Sequence, residues 1–123
     1  MGLKTADFIK TVPTTLGALF QFGVVPLDGF EVWLENQSGT NAITYRFQDS
    51  EDGVNWSDRQ FYTTDPNSLA TVFSLDPLKA QPITLTRKKN HTRLMASAPS
   101  GTLAALKVQW PYNDEIPTTL LRP

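Results

Sequence analysis

Over Ala42–Gln48, Ile43, Tyr45 and Phe47 alternate with Thr44, Arg46 and Gln48, the period-two signature of a strand with one buried face. Asp49-Ser50-Glu51-Asp52-Gly53 then supplies a turn, because Asp-Gly accepts positive φ readily. Trp56 follows at a distance from which it can fold back and seal the core. The same alternation recurs over Phe30–Asn36, where Phe30, Val32 and Leu34 face one way and Glu31, Trp33 and Glu35 the other. The polar stretch Asn36–Asn41 has hairpin length and predicts that these two strands pair side by side.

Further strands are predicted over Leu16–Val25, ended by Pro26-Leu-Asp-Gly29, and over Leu69–Leu75, Ile83–Arg87, Arg93–Ser97 and Thr102–Trp110, with a short edge strand near Phe61 and Tyr62. Short strands separated by turn signals, with no long helical period, predict an all-β chain. The expected architecture is an antiparallel β-sandwich of about seven strands, Ig-like or jelly-roll-like. The sandwich is expected over residues 14–111.

Residues 1–13 read as an N-terminal arm, with a brief helical look over Ala6–Lys10 that Pro13 closes. Extended, such an arm spans roughly 40 Å, and Phe8 and Ile9 are its apolar anchors. Residues 112–123 read as a C-terminal tail carrying Ile116, Leu120 and Leu121, apolar groups without a strand pattern that are expected to dock on a partner.

Composition narrows the function classes. The chain has 123 residues, 40% hydrophobic and 19% charged, which fits one globular domain. No apolar run approaches a membrane span, and the opening ten residues lack the apolar core of a secretory signal. Eleven basic against twelve acidic side chains leave a net charge of -1. No overall field draws in nucleic acid or an anionic membrane, and neither is expected as a partner. There is no cysteine, so stability rests on packing and on oligomerisation, as a dimer or trimer, rather than on disulfides.

Candidate chemistry is sparse, and neither an enzyme, a cofactor nor a bound metal is expected. The single histidine, His91, sits in the basic turn Arg87-Lys-Lys-Asn-His-Thr-Arg93 with no neighbour in sequence to orient it as a base. Asp49, Glu51 and Asp52 lack the spacing and distal Glu of an EF-hand loop. The basic turn has no interleaved aromatics of the kind that stack on bases. Of the three tryptophans, Trp56 and Trp110 are expected to cap the core, and Trp33, between two carboxylates on the polar face of its strand, to contact a partner or stack on a sugar.

Glu35-Asn36, Ser38, Asn41, Ile43, Tyr45, Gln48, Ser50, Asp52-Gly53 and Trp56 together resemble a segment of small virion proteins of tailed bacteriophages. The part from Ser50 to Trp56 is also similar to a turn in discoidin-like carbohydrate- and lipid-binding domains, although the paired cysteines of that family are missing. Among phage virion proteins, the chain most resembles capsid decoration, or cement, proteins. That resemblance implies a structural protein made in the host cytoplasm and placed on the capsid surface, where it bridges major capsid protein subunits. Partner contacts are then expected at Phe8, Ile9, Trp33, Ile116, Leu120 and Leu121. A carbohydrate-binding module, or a tail or head-fibre component, is the alternative.

Overall fold

The computed structural model describes residues 3–22, 25, 29–64, 67–111 and 120–121. Among them lie twelve strands and no helix: β1 (Leu3–Thr11), β2 (Gly17–Phe22), β3 (Phe30–Asn36), β4 (Ile43–Ser50), β5 (Ser57–Arg59), β6 (Phe61–Thr64), β7 (Asn67–Ala70), β8 (Phe73–Leu75), β9 (Ala80–Leu85), β10 (His91–Ser97), β11 (Leu103–Pro111) and β12 (Leu120–Leu121). Sheet A has the order β1-β11-β3-β9. Sheet B has the order β12-β2-β10-β4-β5, with β8 also on β4, and β6 and β7 form a separate hairpin. All the pairings are antiparallel. The expected all-β sandwich is therefore what the chain forms, and the order β1-β11-β3-β9 over β2-β10-β4-β8 is that of a jelly roll rather than an Ig domain.

The alternation of each strand explains the two layers. Val32, Leu34, Leu106 and Val108 point inward from sheet A, and Tyr45, Phe47, Leu94 and Phe22 from sheet B, all of them buried. Phe22 joins the layers: its ring centre lies 4.6 Å from that of Phe30 and 6.1 Å from that of Trp110. At the other side of the core Tyr45 stacks on Phe61 at 5.6 Å, and Phe47 meets Phe61 edge-on at 5.2 Å. A bulge of β2 against β10, between the partners of Leu94 and Met95, lets the adjacent Leu19 and Phe20 both be buried. Gly29, at φ +88°, leads into β3, and a Cβ there would run into the Leu85 carbonyl.

Two sequence expectations give way. Residues 3–11, read as an arm with a helical look, form a nine-residue strand paired along its whole length with β11, from Leu3 opposite Pro111 to Thr11 opposite Leu103. Ala6 is buried and Phe8 half-buried on the core side, which pulls the segment into the sheet. The expected hairpin between β3 and β4 does not form either, since β3 lies in sheet A and β4 in sheet B. Their apolar faces meet across the core instead. The crossing is pinned by the fully buried Asn36, whose Nδ2 donates to the carbonyls of Asn41 at 2.7 Å and Leu75 at 3.0 Å, while its Oδ1 accepts from the Ser38 N–H at 2.9 Å.

A second polar group is buried under β5. Arg59 lies 3.6 Å from the Asp49 carboxylate and donates to the Thr86 carbonyl at 2.9 Å, and the Thr92 hydroxyl donates to Asp49 at 2.6 Å. A buried pair contributes little net stability, but removing one member strands the other in a medium of low polarity. Arg59→Ala is therefore expected to cost about 3 kcal/mol, read as a lower urea midpoint with an unchanged slope. Tyr45 presents the opposite case. Its hydroxyl is buried with no hydrogen-bond partner among the described residues, and burial pushes its pKa above the usual phenol value. Tyr45→Phe removes that uncompensated polar atom and keeps the ring stacking, so it is expected to stabilise the fold by about 1 kcal/mol, checked by thermal unfolding.

Candidate functional site

The alternation that buries one side of sheet A presents the other to solvent. Ile9 on β1, Leu103 and Ala105 on β11 and Trp33 on β3 share this outer face, with Pro82 opposite Trp33 on β9. Ile9 is 61% exposed, Trp33 44% and Leu103 42%, large values for apolar side chains on a regular sheet. A shallow, open groove of about 450 Å³ runs between β1 and β3 and is lined by Asp7, Ile9, Trp33, Glu35 and Lys107 among others. Register places Asp7 opposite Lys107 and Lys107 opposite Trp33. The indole thus sits in a border of mixed charge, with Glu31 and Glu35 along its own strand. The face is shallow and open, and on it apolar and charged side chains alternate rather than separating into a centre and a rim.

The residues expected to bind a partner are only partly gathered here. Ile9 and Trp33 lie on this face. Phe8, one position away on β1, turns inward and packs edge-on against Phe20 at 6.5 Å. Leu120 and Leu121 belong to sheet B, where they pair with Phe22 and Gln21 of β2. Ile116 lies outside the described residues. Leu103, not foreseen as a contact, joins the patch because β11 is central to the sheet and exposes its odd-numbered residues. Its alternation was legible in sequence, but which side faced solvent was not.

Leu78 was also missed. It sits at φ +60° in a turn closed by the Lys79 N–H donating to the Asp76 carbonyl at 3.2 Å, and it is 70% exposed. A leucine is costly in that conformation, which favours glycine. The Leu78 N–H donates to the Ser38 carbonyl at 3.1 Å, so the strained turn braces the β3–β4 crossing and holds the side chain outward beside Glu35 and Gln37.

The segment from Asp49 to Trp56 is built for folding. Asp52 accepts from the backbone N–H groups of Asn55 and Val54, both at 2.8 Å, from the Asn55 amide at 2.8 Å and from the Ser50 hydroxyl at 2.9 Å. Ser50 Oγ accepts in turn from the Gly53 N–H at 2.8 Å. Gly53 takes φ +76° against the His91 ring. Trp56 does not seal the core as expected: it is half-buried outside it, with the Arg93 guanidinium stacked 4.1 Å from its ring centre. Trp110, by contrast, is buried at the edge of the core. Asp49 is consumed by Arg59 and Thr92. Among the described residues no three His, Cys, Asp or Glu side chains converge as a metal site would require. Arg93 lies in β10, as the predicted strand Arg93–Ser97 has it, and Arg87 in the basic turn donates to the Asn90 side-chain oxygen at 2.8 Å.

No protein-family model matches the chain, and no curated protein matches it. Solved structures do. The SPBc2 prophage-derived protein YomS superposes with a TM-score of 0.61 at 9% identity, covering 89% of this chain and 95% of its own. A chain from Bacillus endospore appendages, described as a novel family of disulfide-linked pili, gives 0.52 at 11% identity over 89% and 86%. PirA gives 0.50 at 11% identity over 87% and 93%. At these identities the likeness is one of fold.

The turn carries a pH signature. Four hydrogen bonds, led by that from the Asn55 N–H, hold the Asp52 carboxyl well below the usual carboxylate range. A depressed folded-state pKa contributes stability that is present above the unfolded value near 4 and is lost as pH falls below it. Asp52→Ala is expected to lower the unfolding temperature at neutral pH, and the gap between the two proteins is expected to narrow as pH drops below about 4. Thermal melts across pH check this.

Proposed function

We propose that the protein is a structural component of a phage virion that binds the outside of the capsid and stabilises the shell by bridging major capsid protein subunits. The observation that carries this reading is the outer face of sheet A, an open surface where Trp33, Ile9 and Leu103 are exposed with Lys107 and Glu35 set among them. Such a face suits another flat protein surface, and a central tryptophan is the side chain most often dominant in such contacts. Two further facts support it. The residues from Glu35 to Trp56 resemble a segment of phage virion proteins, and the fold is shared with a prophage-derived protein and with a pilus chain, both at low identity. The pili are described as disulfide-linked, whereas this chain has no cysteine, so its attachment would not use a disulfide.

The residues that carry the resemblance explain why contacts belong elsewhere. Asn36, Ser38 and Asn41 build the crossing between the sheets, Ile43 and Tyr45 fill the core, and Ser50, Asp52 and Gly53 form the turn. They preserve the scaffold, and the scaffold presents the face. Each bridged subunit would make the next contact effectively intramolecular, so modest single contacts would add up to firm attachment.

Co-sedimentation with expanded capsids lacking the protein tests this reading. Bound protein and a higher shell melting temperature are expected. Trp33→Ala is expected to weaken binding by about tenfold or more, as removal of a central anchor does, with its own unfolding temperature nearly unchanged because the indole is half-exposed. Absence of binding to capsids would sink the proposal. The exposed indole also favours a second reading, a carbohydrate-binding module that stacks a sugar on Trp33. Glycan-array binding that disappears in Trp33→Ala would select that alternative.

A further inference from the structure

A sandwich made of open sheets has edges, and each exposes backbone groups that another strand can use. Among the described residues, three of the four edges of the two sheets are blunted. On sheet B, β12 lies against β2, and the opposite side of β4 carries only the three-residue strands β5 and β8. On sheet A, β9 ends the sheet beside the β6–β7 hairpin. Backbone parity adds a second protection there. The Asn36 N–H donates to the Lys79 carbonyl at 2.9 Å, so the odd-numbered residues of β9 pair with β3 and the even-numbered ones face outward. Pro82 is at one of those outward positions and has no N–H to offer.

The fourth edge, β1, is different. The Val12 N–H donates to the Thr102 carbonyl at 2.9 Å, and the Gln37 N–H to the Leu103 carbonyl at 3.0 Å. These bonds fix the parity: even-numbered residues of β1 pair with β11, and Thr5, Asp7, Ile9 and Thr11 direct their N–H and C=O groups along the outer edge. β1 runs for nine residues without proline, and no described strand other than β11 pairs with it.

We propose that β1 pairs with β1 of a second copy, antiparallel about a two-fold axis, joining four strands from each copy into one continuous sheet. Charge selects the register. Centring on Asp7 would set two carboxylates directly opposite each other, which is unfavourable. Centring on Phe8 sets Asp7 opposite Ile9 and Thr5 opposite Thr11 of the second copy, makes about eight backbone hydrogen bonds, and puts Lys10 opposite Ala6. The half-buried Phe8 then meets its counterpart at the closely spaced, non-hydrogen-bonded position where side-chain contact is greatest. A two-fold pair closes on itself and uses up the edge, so it ends at a dimer rather than a fibre. It would also set the two Trp33 faces on one surface, doubling what a flat partner meets. The inference rests on edge geometry alone and stands whether or not the partner is a capsid.

Residue-resolved amide exchange of the full chain, from micromolar to millimolar concentration, tests it alongside sedimentation. Ala6, Phe8 and Lys10 amides are expected to be protected throughout. Thr5, Asp7 and Ile9 are expected to gain protection of about tenfold or more as concentration rises, in step with a shift from monomer to dimer mass. Asp7→Pro removes one outward donor without touching the β1–β11 bonds, and is expected to stay monomeric with those inner amides still protected. Monomeric mass with open outer amides at every concentration would overturn the proposal. So would outer amides protected in the monomer, which would mean that the chain covers its own edge, or dimerisation undiminished in an Asp7→Pro variant that keeps its inner protection. Capsid binding by a monomer would leave the functional reading standing and remove only this one.

Discussion

The ring of Phe22 lies between the two sheets, within 6.1 Å of the rings of Phe20, Phe30 and Trp110, and the structure depends on this contact between layers. A single sheet of this composition would leave one apolar face in water. Closing β2 onto β3 and β11 buries several large side chains, each contributing roughly 2 kcal/mol, in a sequence without cysteine. The same closure orients much of what lies outside it, because in a regular stretch of strand a residue that enters the core turns its two neighbours to the opposite face. Trp33 is exposed because Val32 and Leu34 are fully buried.

The polar groups inside the molecule serve this closure. Asn36 spends its side-chain amide on carbonyls from the crossing loop and from the end of β8, which fastens the point where the chain leaves one sheet for the other. Arg59, at the end of β5 and beside the Asp49 carboxylate, likewise donates to the Thr86 carbonyl just past β9. Both groups lie in or beside loops, where backbone atoms lack ladder partners and a side chain must supply them. The strained turn at Leu78 belongs to the same device through its bond to Ser38.

Exposure and edges divide the surface into two kinds of contact. The face of sheet A offers side chains, with Ile9, Leu103 and Trp33 interspersed with Lys107 and Glu35. The edge at β1 offers backbone, which carries little side-chain specificity and so takes its selectivity from register and charge. The two meet at Ile9, whose side chain belongs to the face and whose N–H belongs to the edge. A dimer through β1 would therefore extend the face rather than cover it.

Local pattern alone determined that this chain is all-β, where most of its strands run, which side of β3 and β4 is buried, and that Asp49–Trp56 turns the chain. These follow from period-two alternation and turn chemistry, which depend on neighbours in sequence. Tertiary structure decided what depends on distant partners. Residues 3–11 became a strand because β11, about a hundred residues later, supplies its ladder and the core receives Ala6 and Phe8. The β3–β4 connection became a crossing rather than a hairpin because Asn36 finds the carbonyl of Leu75. Trp56 left the core for Arg93, and Trp110 entered it through Phe22. An apolar residue announces that it will be buried if it can, but only the assembled sheets determine which faces and edges are left to meet another molecule.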